Sequence, residues 1–371
     1  MVGVLDLALL SACVLSTTAP VKLIVDTDIG GGGCRDVDDV AAICMANALA
    51  DRGEAELLAV VVNTQPAPCP GVASVLNHWY GRDGVPIGGY EGVSLGRRNH
   101  TKSYVTELVA QFPSPVKNSS QVPGAVAVYR AALAGAADGS VTIASIGLLT
   151  NLRALLLSPP DALSRRGGRE LFAAKVRLLV VMGGKYPQSN GTGFAECNFA
   201  GGLGREHEDR GAGAAASGYV VSQLPPQTRV VFVGFGVGRS VKTGGVLTRC
   251  APAGNPCRAA FINDEGRGGT RSSWDPLATL IAVRGIATAG ACAACAGCDG
   301  RNSVCPETGH NWWIAGPRTN QTYVVLRNAT AAAEAIDELL CAPPTLHPPD
   351  LLEQQHQPLF SRGAAEKHPL P

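Results

Sequence analysis

Five aliphatic runs recur along the chain, each closed by Gly, Asp or Asn: VKLIVD (21–26), LLAVVVN (57–63), VTIASIG (141–147), VRLLVVMGG (176–184) and VVFVGFG (230–236). They are continuously apolar rather than alternating, as strands covered on both faces must be. Between them lie stretches with helical character: VDDVAAICMANALADRG (37–53), AVAVYRAALAGAAD (125–138) and LLTNLRALLL (148–157). This alternation predicts an α/β fold, a Rossmann-like, mostly parallel sheet joined and flanked by crossover helices.

The pattern changes after about residue 240. WDPLATLIAVRGI (274–286) predicts a helix opened at Asp275, and NSVCPETGHNWWIAG (302–316) with TYVVLRN (322–328) predicts a terminal β-hairpin or meander. The stretch GGLGREHEDRGAGAAASG (201–218) reads as a surface loop or the loose start of a helix. Residues 342–371, rich in Pro and without apolar periodicity, predict a disordered tail. The expected division is a removable leader over 1–19, one domain over 20–341 and the tail over 342–371.

Ligands of such sheets bind outside the carboxyl ends of the strands, and polar groups collect at these positions. DTDIGGGGCRDVDD (26–39) follows the first run and holds five aspartates in fourteen positions. Each carboxylate raises the cost of ionising its neighbours unless a cation, strong donors or water offset it. A solvated acidic turn is the plainer alternative, since Asp and Gly are ordinary turn residues. Asn63 closes the second run, Gly147 to Asn151 follow the third, and Asn190, Glu196 and Asn198 follow the fourth. Strand-end carboxylates beside a helix start suit a hard cation with oxygen ligands, Asp28 and Asp39 being the natural pair and Asp275 a distant acid able to close the shell.

Composition narrows the partners. Lys plus Arg number 31 against 30 Asp plus Glu, with no basic block, so the electrostatic footprint of a nucleic-acid binder is missing and a small molecule is the expected partner. No run reaches the roughly 18 apolar residues of a membrane helix, and no stable membrane association is expected. The apolar stretch Leu7 to Leu15, followed by Thr17-Thr18-Ala19, has the form of a signal peptide with a cleavage site, although it lacks a preceding Lys or Arg and carries Asp6. A secretory location is expected, with the cytoplasm as the alternative. Glycosylation triplets begin at Asn99, Asn118, Asn190, Asn320 and Asn328. Of the twelve cysteines, Cys250 with Cys257 and Cys298 with Cys305 read as local disulfides, and Cys292, Cys295, Cys298 and Cys305 lack the paired spacing of a zinc site.

The sequence resembles the inosine/uridine-preferring nucleoside hydrolases. Their D-x-D-x-G-x-D-D opening is matched by Asp26, Asp28, Gly30, Asp38 and Asp39, with extra residues between Gly30 and Asp38. Asn63, IGLLTN (146–151), MGG (182–184), NGTGFAECN (190–198) and WDP (274–276) follow in family order. The resemblance implies calcium held by Asp28, Asp39, the backbone carbonyl of Ile146 and Asp275. It implies ribose hydroxyls on Asp38 and Asn198, with Asn63, Asn190 and Glu196 completing the sugar pocket. The implied reaction is hydrolysis of the N-glycosidic bond of a ribonucleoside to ribose and free base, through direct attack of a water held by the metal. Asp28 serves as general base, and the transition state is oxocarbenium-like.

Two departures from the family bear on the base. Many relatives carry His before the last metal aspartate, where this chain has Trp274; indole supplies no proton at neutral pH, and a tryptophan resembles the purine-preferring branch, in which stacking assists departure. No HGxxG-like segment follows the second strand. A glycan on Asn190 would block the sugar pocket, so that triplet is expected to be unused. Relatives are commonly oligomers, and a homo-oligomer is a further expectation. Two rival readings remain at this level: a non-catalytic nucleoside- or sugar-binding module on the same fold, and a haloacid-dehalogenase-type phosphatase suggested by DTDIG.

Overall fold

The computed structural model describes residues 19–30, 37–65, 67–92, 102–187, 194–201 and 207–346. The expected leader before residue 19, most of the expected tail, the inserted loop 31–36 and Asn190 lie outside the described residues. Among the described residues twelve strands are formed: β1 (Val21–Thr27), β2 (Ala55–Val62), β3 (Ile87–Gly88), β4 (Val141–Ser145), β5 (Val176–Met182), β6 (Arg229–Val233), β7 (Lys242–Thr243), β8 (Arg271–Ser272), β9 (Cys292–Ala294), β10 (Gly300–Val304), β11 (Asn311–Ala315) and β12 (Gln321–Leu326). Eight of them make the central sheet in the order β3-β2-β1-β4-β5-β6-β12-β9, parallel apart from the final pair.

Register decides where the site can form. Asp26 of β1 lies beside Ser145 of β4, Ser145 beside Val181 of β5, and Val181 beside Phe232 of β6. The four strands therefore finish at one level, and the residues just beyond them open onto a common crevice. One apolar core fills each face of the sheet. The helix Asp38–Asp51 is buried from Asp38 to Leu49 and packs on the helix Trp274–Arg284, itself buried from Asp275 to Ala282. Apolar residues surround both helices, as befits helices enclosed by protein. Their first residues, Asp38 and Trp274, are thereby carried to the same end of the sheet.

Three expectations are corrected. The segment 322–328 does not extend the hairpin: β10 and β11 pair antiparallel, whereas β12 joins the central sheet between β6 and β9. Tyr323 belongs to one core and Val324 to the other, so this strand is apolar on both faces and satisfies the requirement for a central position. For the Gly/Ala-rich stretch the surface-loop alternative gives way to the helical one: it enters the helix His207–Gln223, packed on the helices Thr150–Leu157 and Cys197–Ala200. Its small residues serve close approach: a Cβ on Gly213 would meet the Gly201 Cα at 2.4 Å.

The third correction concerns the cysteines. Cys257 bonds Cys44, 213 residues away, and Cys250 bonds Cys341, 91 residues away. Cys295 bonds Cys298, and Cys305 is a free thiol. Nearness in sequence misled because the helices ending at Cys250 and Leu340 bring Cys250 to Cys341, while Cys257 lies in a helix that faces Cys44 across the core. No described helix is long and apolar enough to cross a membrane.

Candidate active site

At the carboxyl ends of β1, β4, β5 and β6 a cavity opens with an acidic floor. Asp28, Asp38 and Asp275 line it, and all three are at least 95% buried. Ligand-capable oxygens of Asp38, Asp39 and Asp275 lie within 4.8 Å of one another. The trio is assembled by the two central helices. Asp38 opens the first and reaches across to the second, its Oδ2 accepting from the backbone N–H groups of Trp274 at 3.1 Å and Asp275 at 3.2 Å. A carboxylate at a helix N-terminus is favoured by the exposed amides and the helix dipole. Asp38 Oδ1 is buried with no hydrogen-bond partner, and Thr27 Oγ1 donates to Asp39 Oδ1.

This donor set fits a hard dication. All the groups are oxygens, the carboxylates are buried together, and an isolated buried carboxylate is strongly disfavoured unless its charge is matched. The cluster the structure forms contains Asp38, where the sequence reading put Asp28; Asp28 lines the same cavity, as does Ile146.

A layer behind the floor holds it in shape. Asp26 is fully buried and accepts from Asn63 Nδ2 at 3.0 Å, Asn151 Nδ2 at 3.2 Å and Tyr129 Oη at 2.8 Å. Burial raises its pKa to about 7 against the lowering effect of those three donors. Asn63 Oδ1 also accepts from Leu148 N at 3.2 Å. Asn63 thus ties the ends of β1, β2 and β4 together and is not among the residues lining the cavity. Gly147 is required here, because a Cβ would lie 2.5 Å from the Asp28 nitrogen and 2.7 Å from Asn63 Nδ2.

The wall beyond β5 carries Glu196 and Asn198. Glu196 caps the short helix Cys197–Ala200: its Oε1 accepts from Asn198 N at 3.0 Å, and its Oε2 from Gly184 N at 2.9 Å and Phe199 N at 3.2 Å. Burial raises its pKa, opposed by these backbone donors. Asn198 Nδ2 points at the carbonyls of Met182, 3.2 Å away, and Ile146, 3.4 Å away, which sets its amide orientation. Its Oδ1 is buried without a hydrogen-bond partner. Asn198 Oδ1 and Asp38 Oδ1 are therefore acceptors suited to hydroxyl donors of a ligand.

The opposite rim is aromatic. Trp274 stacks on Phe235 with centroids 5.4 Å apart and rings 25° from parallel, and its Nε1 donates to the Phe235 carbonyl at 2.8 Å. Phe194, half exposed, meets Phe235 edge-on at 5.3 Å. Each ring has a cation beside it: Lys185 Nζ is 3.6 Å from the Phe194 centroid, Arg239 Cζ 5.9 Å from Phe235 and Arg271 Cζ 5.5 Å from Trp274. The sequence reading missed Phe194, Phe235 and Arg271. Phe194 sits within the GFAECN segment and Phe235 just beyond β6, so their proximity to strand ends was the available signal.

Residues 23–201 match the family described as inosine-uridine preferring nucleoside hydrolase. Similar solved structures include the type III effector protein XopQ complexed with adenosine diphosphate ribose, with a TM-score of 0.59 and 16% identity over 88% of this chain and 95% of that one. An inosine-uridine preferring nucleoside hydrolase from Bacillus anthracis gives a TM-score of 0.58 and 13% identity over 86% of this chain and 99% of that one. An inosine-guanosine nucleoside hydrolase gives 0.57 and 18% identity over 86% of this chain and 98% of that one. No curated protein sequence matches the chain. Over residues 23–201 the chain is thus similar to the inosine-uridine preferring nucleoside hydrolase family, and its central sheet has the nucleoside hydrolase fold.

Proposed function

We propose that the protein hydrolyses the N-glycosidic bond of ribonucleosides, with purine nucleosides as the preferred class, in a calcium-dependent reaction. One observation carries the reading: buried Asp28, Asp38 and Asp275 face an aromatic rim across a single cavity, with Asp39 against the floor. Asp28, Asp39, Asp275 and the Ile146 carbonyl would hold calcium, with Asp38 close enough to contribute. Calcium, when bound, offsets the carboxylate repulsion, orients ribose hydroxyls and acidifies a water.

The chain's own groups divide the remaining work. Asp38 Oδ1 and Asn198 Oδ1 accept from ribose hydroxyls. Glu196 fixes Asn198 by holding the start of its helix, while Asn63 acts through Asp26 and Leu148; for Asn190, outside the described residues, the sugar-pocket role rests on the sequence resemblance alone. Asp28 takes the proton of the attacking water as its oxygen bonds to C1′. The C1′–N bond breaks with its electron pair going to the base, and the acidic floor stabilises the positive charge that develops on the sugar. Trp274 cannot protonate the base, since indole is no acid here and its N–H is already given to Phe235. Its role is to present, with Phe235 and Phe194, an apolar platform for a planar ring.

The same reading makes residues 20–341 one catalytic domain that follows a removed leader, acts on a small molecule in a secretory compartment and assembles with its own copies. The disulfides are compatible with that compartment. A second reading, a ribosyl-compound-binding module without turnover, is favoured by the likeness to an effector protein complexed with adenosine diphosphate ribose.

Ribose release from inosine, guanosine, adenosine, uridine and cytidine, with and without a chelator, separates the two. Chelator-sensitive release supports the hydrolase, and binding without release supports the module. Asp28→Asn is expected to lower turnover by about 10²-fold or more, the usual contribution of a positioned general base. Near-normal rates in that variant would reject the role given to Asp28.

A further inference from the structure

A second cavity, of about 710 Å³, opens at the other end of the sheet from the acidic floor. Arg229 begins β6 and Gln321 begins β12, which run parallel, so the cavity lies where these strands start; antiparallel β9 delivers Cys295 to the same end. Cys295 and Cys298 line it, half-buried and bonded to each other. The turn between them passes through Gly297, whose φ of 71° lies in the left-handed region. Arg229 and Arg318 stand exposed on the wall against a single acid, Asp299. Asn320, which begins a glycosylation triplet, belongs to the same wall, but its Nδ2 is given to the carbonyls of Thr228 and of Pro225, the latter at 3.0 Å.

The two sulfurs are not equivalent. Tyr323, buried, donates its hydroxyl to Cys298 Sγ at 3.1 Å. Its ring is braced by Tyr186, stacked with centroids 5.0 Å apart, and by Trp313, edge-on at 5.0 Å. Trp313 Nε1 in turn donates to the Cys298 carbonyl at 3.1 Å. A phenol keeps its proton at neutral pH. A donor held on a sulfur favours its thiolate and makes it the better leaving group.

We infer that this cavity is a thiol–disulfide exchange site, at which the Cys295–Cys298 bond is reduced by a small thiol bearing carboxylates. Arg229 and Arg318 pair with the carboxylates. The thiolate of the small molecule bonds to Cys295 Sγ, the Cys295–Cys298 bond breaks, and its electron pair goes to Cys298 Sγ under the Tyr323 hydroxyl. A second thiolate then attacks the small molecule's own sulfur in the mixed disulfide and releases the Cys295 thiolate. Two small thiols are oxidised to one disulfide, one protein disulfide is reduced, and the two thiol protons end on the two cysteines. No residue lines both cavities, so the inference is independent of the hydrolase reading.

The test exposes the full chain to glutathione, 2-mercaptoethanol or cysteamine, an anionic, a neutral and a cationic thiol, at equal thiolate concentration. The freed cysteines are alkylated and located by peptide mass spectrometry. Cys295–Cys298 is expected to open about tenfold or more faster with glutathione than with cysteamine, the lower end of what a charged cleft gives by steering. The double variant Arg229→Ala with Arg318→Ala should lose most of that preference. Cys250–Cys341, also open to solvent and lining neither cavity, should show none. Tyr323→Phe should slow the opening with every thiol and keep the preference. Equal rates with the three thiols, a preference that survives in the double variant, or opening no faster than that of Cys250–Cys341 would overturn the assignment. An unchanged rate in Tyr323→Phe would overturn the choice of Cys298 as leaving sulfur.

Discussion

The two sides of the cavity are built on opposite principles. The floor is made of buried carboxylates supplied by strand ends and by the first turns of two central helices, and supported from behind by Asp26, Asn63, Asn151 and Tyr129. The rim is made of Phe194, Phe235 and Trp274, partly exposed and accompanied by cations. The floor concentrates negative charge in the region of low dielectric, where charge interactions are strongest. The rim places apolar area and positive charge where water still reaches. On the proposed reading, the floor would meet the sugar with fixed geometry and matched charge, and the rim would meet the base with a flat surface and a favourable field.

The largest expected break comes from the floor. Asp275→Asn should reduce ribose release by about 10³-fold, the scale of removing a preorganised electrostatic group. The same variant should be more stable by about 1 kcal/mol without calcium, because a site built for function carries repulsion that stability alone would not retain. Ribose assays paired with thermal unfolding in chelator would check this. Loss of both activity and stability would show that the floor is a structural cluster.

The rim should respond less. Trp274→Ala is expected to lower kcat/KM for purine nucleosides by about fivefold, in keeping with about 1 kcal/mol for one aromatic contact beyond area burial. Uridine and cytidine, with smaller rings, should lose less. A uniform loss across bases would mean that Trp274 matters chiefly as the start of the helix Trp274–Arg284 rather than as a surface for the base.

The smallest effect on chemistry is expected from an ion pair outside the cavity. Arg130, buried, donates through Nε to Asp161 Oδ2 at 2.5 Å and through Nη2 to Oδ1 at 2.8 Å. Arg130 holds the Asp161 pKa down, from 3.8 to about 2. A depressed folded pKa means that the pair's stabilisation is present above about pH 4 and lost as pH falls through about 2. Asp161→Asn should therefore lower the urea midpoint at pH 6, with the gap to wild type closing toward pH 2, and leave the inosine-to-adenosine ratio unchanged. A gap that persists at pH 2 would show that packing, not charge, is what Asp161 contributes.

The same contrast governs what the sequence reveals. Asp28, Asp38, Asp39 and Asp275 stand out because charged groups at the ends of apolar runs or inside an apolar helix have no place in a core. Phe194 and Phe235 do not stand out, since aromatic residues beside strands are ordinary core material and only the fold turns them toward a cavity. Arg271 is one of many surface-type residues until β8 fixes its neighbours. Asn63 was read as a sugar ligand from position, but its amide is directed at Asp26 and Leu148, a distinction that depends on side-chain direction. The place of strand β12, and the choice between loop and helix start for 201–218, depend on partner strands and on close contacts between small residues, which are properties of the assembled fold and not of local pattern.

The pairing of Cys44 with Cys257 spans most of the chain that builds the cavity. A single backbone cut anywhere between these two residues would leave both pieces covalently joined, with Asp28, Asp38 and Asp39 on one side and Asp275 still attached through the bridge. A protein nicked by proteases would thus keep its halves at unimolecular concentration for as long as this bridge stays oxidised.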